Sequence, residues 1–221
     1  MARVRPRPGS VIYPDEDDQV PESNKHVEQL ALLLTVLQAY FRERPDVFVG
    51  GNSFLYYQEG DPARRLSPDI YVAFGVRPRP IEKRGSYRLW EEGVVPAVVV
   101  ELTSGSTRRV DTVQKVRQYA ALGVQEYYLF DPLGEYLRPP LQGYRLNEQG
   151  QYDRLPGEEL TSPALGLRLV VRDGWLRLLD PATGRLLPTL DEVAVERAAA
   201  EAEITRLRAE LARLRASADE S

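Results

Sequence analysis

Two acidic side chains in the middle of the chain lie at the ends of apolar segments. Asp69 follows Pro68 at the start of one segment, and Glu101 follows the apolar run of residues 97–100. A carboxylate on a buried strand must be paired, protonated or bound to a metal, because burying an isolated charge is costly. If the two segments are neighbouring strands, the two carboxylates lie close together and repel each other unless a cation lies between them.

A divalent cation at such a pair would carry out phosphodiester chemistry. Oxygen-only ligands suit Mg²⁺ or Mn²⁺ rather than a structural zinc ion. Such an ion polarises a phosphodiester, lowers the pKa of a bound water and stabilises the leaving oxygen. Either Asp111 or Thr112 is predicted to cap a helix, and Lys115 lies about one helical turn after Asp111. The charge of Lys115 could orient the water or neutralise charge on the phosphorus.

Each of these residues taken alone also has a purely structural interpretation. Asp69 could pair with a neighbouring arginine, since Ser-Pro-Asp is ordinary turn chemistry, and Lys115 could be a surface lysine. The choice of basic residues favours a special role for Lys115, because only Lys25, Lys83 and Lys115 are lysine among 29 basic residues. Lysine has a pKa that its surroundings can tune, whereas arginine stays protonated. Codon bias suffices to explain the other two lysines.

The composition as a whole excludes several classes of protein. A hydrophobic fraction of 43% supports a real core, and the absence of cysteine excludes disulfides and thiolate metal sites. A net charge of -4 argues against avid, non-specific coating of nucleic acid but leaves room for a local basic groove. No secretory signal and no apolar run of membrane-spanning length is present, so we expect a cytoplasmic protein.

The hydrophobic pattern predicts a mixed α/β domain. Residues 22–44 form an amphipathic helix whose predicted buried stripe is Val27, Leu30, Leu34, Leu37 and Phe41. Strands are predicted over 47–49, 53–58, 66–74, 97–102 and 124–130, with Gly50 and Gly51 breaking the first of them. The valine-rich strand 97–102 is predicted to be central, because it lacks polar alternation.

The segments between and after these strands complete the prediction. Residues 75–90 are predicted to form a basic loop, and a helix over 111–121, with Val113, Val116, Tyr119 and Ala120 facing inward, is ended by Gly123. Strand, helix and strand in this order imply a parallel pair with a right-handed crossover. Residues 143–187 suggest β-hairpins, one of them turning at Asp173 and Gly174.

The last part of the chain changes character. A heptad pattern, interrupted only by Arg197, is carried by Val193, Ala200, Ile204, Leu207, Leu211 and Leu214. This pattern predicts a coiled coil, although a single helix packed on the domain would also explain it. The predicted organisation is therefore an N-terminal arm over residues 1–20, one domain over 21–188, and a coiled-coil helix with its tail over 189–221.

Several stretches together resemble one nuclease family. They are Ser67-Pro68-Asp69-Ile70, Val99-Val100-Glu101-Leu102-Thr103-Ser104, Asp111 with Lys115 and Tyr119, and residues 122–132. The chain resembles the Uma-type restriction endonuclease family of the PD-(D/E)xK nuclease superfamily over roughly residues 10 to 190. The resemblance implies an α/β, restriction-endonuclease-like fold, with a mixed sheet flanked by helices, extra β-hairpins and the C-terminal helix.

The resemblance also implies roles for individual residues. Asp69 and Glu101 look like the ligands of a divalent metal that supports DNA cleavage. The lysine of the superfamily normally lies two residues after the glutamate, where this chain has Thr103, so the resemblance makes Lys115 the migrated lysine. Tyr119 looks like the helix tyrosine of related nucleases.

Four further residues have weaker claims to a place in the site. Glu28 on the first helix could join the metal shell or could be an exposed helix glutamate. His26, the only histidine, could touch the site, although a partly buried histidine at a helix start is the simpler interpretation. Arg108 and Arg109 could contact phosphate, as could the basic loop of residues 77–88, or these groups could simply be solvated.

Two functions are consistent with these observations. The first is a Mg²⁺- or Mn²⁺-dependent endonuclease that acts on DNA. In this interpretation residues 190–215 pair two copies of the chain as a homodimer. The second is a catalytically weak or inactive module that binds nucleic acid or a protein partner through the coiled coil. The net charge and Thr103 favour the second function, whereas Asp69, Glu101 and Lys115 together favour the first.

Overall fold

A computed structural model describes residues 23–80 and 84–219, so the predicted arm over residues 1–20 lies outside the described part. The described elements are, in chain order, α1 (Asn24–Tyr40), β1 (Val47–Gly51), β2 (Leu55–Tyr56), β3 (Arg65–Leu66), β4 (Ile70–Phe74), β5 (Tyr87–Arg88), α2 (Leu89–Glu92), β6 (Val98–Leu102), a π-helical segment (Val110–Lys115), α3 (Val116–Leu122), β7 (Glu126–Phe130), β8 (Leu141–Leu146), β9 (Tyr152–Arg154), β10 (Leu160–Ser162), β11 (Leu167–Arg172), β12 (Trp175–Asp180), β13 (Arg185–Leu186) and α4 (Leu190–Asp219).

A six-stranded mixed sheet, in the order β1-β4-β6-β7-β8-β9, carries the core. Strands β6 and β7 run parallel, with Val98 opposite Glu126, and the other neighbours in this sheet are antiparallel. All five residues of β6 are buried. The predicted α/β class, the central position of the valine-rich strand and the parallel pair are therefore confirmed.

The two faces of this sheet are covered by different elements. On the first face, Leu33 and Val36 of α1 pack with Leu169 and Leu178 from a four-stranded sheet of order β10-β11-β12-β13. On the second face, Tyr119 of α3 packs in a cluster that also includes residues of a three-stranded sheet of order β3-β2-β5. Because side chains alternate along a strand, Val100 faces the first layer while Glu101 faces the second.

The predicted buried stripe of α1 is confirmed at Leu37 and Phe41, is partly buried at Leu30 and Leu34, and is wrong at its first member, Val27. Val27 is 54% exposed, and the buried residues of the helix are His26, Gln29, Leu33, Val36 and Leu37. The stripe starts with polar residues because Gln29 is paired on both sides with the backbone of Leu176: its amide donates to the carbonyl at 3.1 Å and its carbonyl accepts from the N–H at 2.9 Å. The hydrophobic pattern of a helix does not predict a buried polar residue of this kind.

Strand β1 runs through its two glycines instead of ending at them, which corrects the prediction of a break. A Cβ on Gly50 would come within 2.3 Å of the Tyr71 ring, and one on Gly51 within 2.8 Å of the Asp69 carbonyl. Both glycines therefore allow β1 to lie tightly against β4 where that strand begins. This close approach packs the backbone directly beside Asp69.

The long third strand predicted over 66–74 is two strands in two different sheets. Pro68, which has no backbone N–H to contribute to a ladder, lies between β3 and β4. The strand predicted over 53–58 is likewise reduced to β2.

At the C-terminal end of β7, the buried Asp131 accepts hydrogen bonds from the backbone N–H groups of Leu133 and Gly134 and so shapes the following loop.

The basic loop predicted over 75–90 ends in the short elements β5 and α2, and Arg79, Arg84 and Arg88 form ion pairs with the two glutamates of α2. Arg84 forms a buried ion pair with Glu92 at 2.9 Å, and Arg79 contacts Glu91 at 3.3 Å. Lys83 lies outside the described residues. Three of the four described arginines of this loop are therefore held in ion pairs with Glu91 and Glu92, so most of it is a folded segment rather than an open basic surface.

The later hairpins follow the sequence signals closely. Strands β11 and β12 pair through Arg172 and Trp175 across a turn at Asp173 and Gly174, where both residues have positive φ. Gly123 ends α3 in the left-handed conformation, as predicted. Glycine and aspartate tolerate this conformation better than most residues, which is why these turns can be predicted from the sequence.

The chain divides into two compact units between Leu187 and Pro188. The second unit contains the predicted C-terminal helix, α4, which spans 30 residues. Among the described residues, no helix has the length and apolar character needed to cross a membrane.

Candidate active site

Asp69 and Glu101 lie side by side at the ends of β4 and β6. The antiparallel pairing of these strands ends at Ile70 and Val100, so the next position along each strand places Asp69 opposite Glu101. The N–H of Leu102 donates to Asp69 Oδ2 at 2.6 Å, and the N–H of Asp69 donates to Glu101 Oε2 at 3.4 Å. Each carboxylate is thus held by the backbone of the other residue's strand.

Lys115 reaches this pair from the π-helical segment that follows β6. Its Nζ lies 2.8 Å from Glu101 Oε2 and 3.1 Å from Asp111 Oδ1. π-Helical turns are rare and are found preferentially at functional sites. The helix predicted over 111–121 therefore starts earlier, at Val110, and Asp111 pairs with Lys115 instead of capping the helix.

The wider turn also changes which side chains of this segment face inward. Val113, predicted to be buried, is 45% exposed, whereas Asp111 and Tyr119 are buried. The Tyr119 hydroxyl donates to Glu101 Oε1 at 2.7 Å. The Tyr127 hydroxyl donates to the Asp111 carbonyl oxygen at 3.0 Å and ties the segment to β7.

The electrostatics of this group depend on its burial. Burial raises the pKa of Glu101 to about 8, the charge of Lys115 opposes that rise, and the charges of Asp69 and Asp111 add to it. Burial alone would lower the pKa of Lys115, but the three carboxylates together raise it above its usual range. Burial and the neighbouring Glu101 raise the pKa of Tyr119 well above its ordinary value, so its hydroxyl remains a donor.

His26 completes the group from the other side of Asp69. It lies in the first turn of α1, where its N–H donates to the hydroxyl of the capping residue Ser23 at 3.2 Å. Its Nε2 lies 3.7 Å from Asp69 Oδ1, and its side chain is 5% exposed. The sequence suggested that His26 could touch the site, and the structure places it there.

The remaining candidates occupy different positions. Glu28 is exposed on α1, and the structure does not bring it to the group. Thr103 is buried, its N–H donates to the Phe130 carbonyl at 2.7 Å, and its hydroxyl makes no hydrogen bond with any described residue. Arg108 and Arg109 are exposed at the start of the π-helical segment.

The charges of this group fit a divalent cation better than they fit one lysine. Counted formally, the three carboxylates of Asp69, Glu101 and Asp111 exceed the charge of Lys115 by two negative charges. Because the pKa of Glu101 is raised to about 8, Glu101 holds a proton near neutral pH, and a bound cation would displace that proton. Among the described residues, no three His, Cys, Asp or Glu side chains form a ready-made metal cage. This arrangement suits Mg²⁺ or Mn²⁺, which proteins commonly hold through one or two carboxylates, with waters and substrate phosphates completing the shell.

Sequence reasoning missed the part that Asp111 plays in this group. The signal was present, because an acid four residues before a lysine on a helix is a standard pairing distance. The predicted cap role concealed it. The role of each residue in the group stays a prediction, although the structure brings Asp69, Glu101, Lys115 and Tyr119 together.

Comparison with known proteins places this chain in a family. Residues 4–176 match the model of a family described as "Uma2: Putative restriction endonuclease". Among solved structures, the chain is similar to "a putative nuclease belonging to DUF820" from Anabaena variabilis, with 14% identity, a TM-score of 0.45, and coverage of 66% of this chain and 76% of the other. No curated protein matches the chain significantly. Because the family match spans well over half of the 221 residues, the chain belongs to the Uma2 family.

Proposed function

We propose that the protein is a nuclease that hydrolyses DNA phosphodiester bonds with Mg²⁺ or Mn²⁺ held by Asp69 and Glu101. The observation that carries this proposal is the contact of Lys115 with Glu101, at 2.8 Å, in a group that sets three carboxylates against one lysine. A structural ion pair would balance its charges, whereas this group retains a charge that a divalent cation would neutralise. Membership of the Uma2 family supports the same chemistry.

Each side chain has a separate task in this proposal. A bound divalent ion supplies a water of lowered pKa and polarises the scissile phosphate. Asp69 and Glu101 offer the oxygen ligands, and the Tyr119 hydroxyl holds Glu101 in one orientation. Lys115 places a positive charge beside Glu101, where it offsets charge that develops on the phosphoryl oxygens.

Cleavage of supercoiled plasmid DNA tests the proposal directly. We expect nicked or linear product with Mg²⁺ or Mn²⁺, no product with EDTA, and none from Asp69→Asn. The matched control is Asp173→Asn, at an exposed turn of positive φ that asparagine tolerates. Cleavage by Asp69→Asn at the rate of the control would contradict the proposal. Parallel assays with single-stranded DNA and RNA would define the substrate.

The alternative is a module that binds nucleic acid or protein without cleaving. Thr103 at the usual lysine position favours it, while the contact between Lys115 and Glu101 favours the enzyme. Metal-independent binding of DNA by the wild type, with no cleavage under any of these conditions, would establish the alternative. Arg108 and Arg109, both exposed, are the proposed phosphate contacts in either case.

We propose further that two copies pair through α4. One face of this helix exposes apolar residues at heptad positions, namely Val193, Ile204, Leu207 and Leu211. Ile204 and Leu211 occupy a positions, and Leu207 occupies a d position, of a heptad written abcdefg. This exposed stripe is the surface that a second copy of the helix would cover.

The charges beside the stripe favour a parallel pair. The g positions are all glutamates, Glu196, Glu203 and Glu210, which would oppose one another in an antiparallel pair. In a parallel pair Glu203 faces Arg208 of the second copy, at an e position. Glu196 would face Glu201, with Arg197 at the adjacent a position to neutralise both.

Sedimentation of the full-length chain tests this pairing. We expect the wild type to sediment as a dimer, and Ile204→Glu to sediment at the 25.0 kDa of one chain. Ala202→Glu, an exposed position on the opposite face of the helix, is the matched control and should remain a dimer. A wild type that sediments as a monomer at tens of micromolar, or an Ile204→Glu variant that stays dimeric, would contradict the pairing.

A further inference from the structure

His26 lies beside Asp69 but has no role in the reaction proposed above. The side chain is 5% exposed, although a single histidine on a helix start could easily face solvent. Asp69 Oδ2 already accepts the Leu102 N–H at 2.6 Å, so Oδ1 is the oxygen directed toward His26. The imidazole nitrogen and this carboxylate oxygen therefore face the same small space.

The separation of these two atoms is somewhat larger than the spacing of neighbouring ligands around one ion. Metal–ligand distances of about 2.1 Å place two neighbouring ligand atoms roughly 3.0–3.4 Å apart in octahedral or tetrahedral geometry. His26 Nε2 and Asp69 Oδ1 are 3.7 Å apart, which is longer than an ordinary hydrogen bond and about 0.3–0.7 Å longer than that spacing. A small adjustment of either side chain would let both atoms contact one cation.

The helix itself fixes the backbone that carries the imidazole. Ser23 caps α1 through the His26 N–H, and Gln29, one turn later, is bonded on both sides to the Leu176 backbone. These contacts anchor the first turn of α1 at both ends. Residues that hold a metal are commonly fixed in this way by the elements that carry them.

We propose that His26 is a nitrogen ligand of the divalent metal, beside Asp69. This inference rests on the proposed function, because it concerns the same metal. Its consequence is a choice of ion: imidazole nitrogen favours transition metals over Mg²⁺, so the site prefers Mn²⁺ to Mg²⁺ and binds Ni²⁺ more tightly than either. A set made only of carboxylates would show a smaller difference among these ions.

Calorimetric titration of the untagged protein with Mg²⁺, Mn²⁺ and Ni²⁺ separately tests this choice. His26→Ala should weaken Ni²⁺ binding about tenfold more than it weakens Mg²⁺ binding. His26→Asp, which replaces nitrogen by oxygen, should recover Mg²⁺ binding without recovering Ni²⁺ binding. Val27→Ala, at the exposed neighbouring position on α1, is the matched control and should bind all three ions like the wild type. Circular dichroism would establish that each variant is folded.

A spectroscopic signature reports on the bond itself. Because His26 is the only histidine of the chain, an imidazole ¹⁵N spectrum contains one ring. Zn²⁺, which is diamagnetic, should shift the Nε2 resonance of the wild type and leave that ring unchanged in Asp69→Ala.

The possible results separate the two proposals. An equal loss for all three ions in His26→Ala, with no shift of Nε2, would overturn ligation and leave His26 as a residue that positions Asp69. The metal-dependent function would survive that result. Failure of the wild type to bind any of the three ions would overturn both proposals.

Discussion

Two buried glutamates on adjacent strands have opposite surroundings. Glu101 of β6 and Glu126 of β7 lie on opposite faces of the six-stranded sheet, and both are almost fully buried. From the described part of the chain, Glu126 accepts hydrogen bonds from three uncharged donors: the Tyr128 hydroxyl at 3.1 Å, the Ser162 hydroxyl, and the Ala164 N–H at 3.2 Å. Glu101 instead lies in a group of charged side chains with Lys115.

Burial of an acid therefore does not by itself indicate a functional site. Glu126 links β7 to the segment around β10, and its neutral donors satisfy it within the fold. Glu101 has two further carboxylates nearby, whose charges add to the rise of its pKa. What distinguishes the two glutamates is the excess negative charge around one of them, and the predictions below test that difference.

Removing one charge at a time should separate the two glutamates most clearly. Glu101→Gln should reduce metal-dependent DNA cleavage on the order of a thousandfold, because a metal ligand contributes several kcal/mol to transition-state stabilisation. Glu126→Gln should leave cleavage by the folded protein within about threefold, while lowering the free energy of unfolding by about 1–3 kcal/mol. Plasmid cleavage and urea unfolding measure the two effects. Equal losses of cleavage would remove the distinction between the glutamates.

The lysine of the group should matter to the reaction rather than to metal binding. Lys115→Met should slow cleavage about a hundredfold, the range seen when a positioned group that assists proton transfer or charge stabilisation is lost. Its affinity for Mn²⁺ should not fall, since a positive charge beside the ligands is removed. Lys25→Met, which removes a lysine that lies over the Trp175 ring, is the control. Cleavage by Lys115→Met at the wild-type rate would contradict the assignment of Lys115 as the lysine that assists the reaction.

The raised pKa of Glu101 gives stability a pH dependence of known sign. The folded protein holds the Glu101 proton to about pH 8, whereas the unfolded chain releases it near the ordinary pKa of 4.5. The contribution to stability is therefore fully present below about pH 4.5 and is lost as the pH rises to about 8, in the absence of metal. Glu101→Gln should flatten this part of the profile and Glu126→Gln should retain it. Urea unfolding from pH 5 to 9 measures both, and identical slopes in the two variants would contradict the assignment.

The smallest expected effect concerns DNA binding at the edge of the site. Arg108→Ala and Arg109→Ala should each weaken DNA binding a few-fold and reduce the salt slope of the logarithm of the binding constant by about 1. Arg79→Ala should leave the slope unchanged, because Glu91 already neutralises Arg79. Fluorescence anisotropy at several salt concentrations measures the slopes. An effect of Arg79→Ala as large as that of Arg108→Ala would mean that the basic loop also contacts DNA.

The sequence predicted those residues of the site that lie at the ends of strands. Asp69 and Glu101 could be placed together because each lies at the end of an apolar strand, and adjacent strands bring such ends to one edge. The position of Lys115 could not be derived in detail, because hydrophobic periodicity does not predict a π-helical segment. The pairing of Asp111 with Lys115 was hidden for the same reason.

The contribution of α1 was harder to predict, because its contacts are polar and distant in sequence. Gln29 bonds to Leu176, which lies 147 residues later, and this contact sets which face of the helix is buried. The apolar pattern alone placed Val27 in the stripe and left His26 undecided. Long-range polar contacts of this kind follow from the assembled sheets and leave no periodic signal in the sequence.

The most direct test of the central claim is calorimetric titration of Mn²⁺ into the wild type, Glu126→Gln and the double variant Asp69→Ala with Glu101→Ala. We expect one site of similar affinity in the wild type and Glu126→Gln, and no binding in the double variant. Binding retained by the double variant, or absent from the folded wild type, would show that the excess negative charge around Glu101 does not hold a metal.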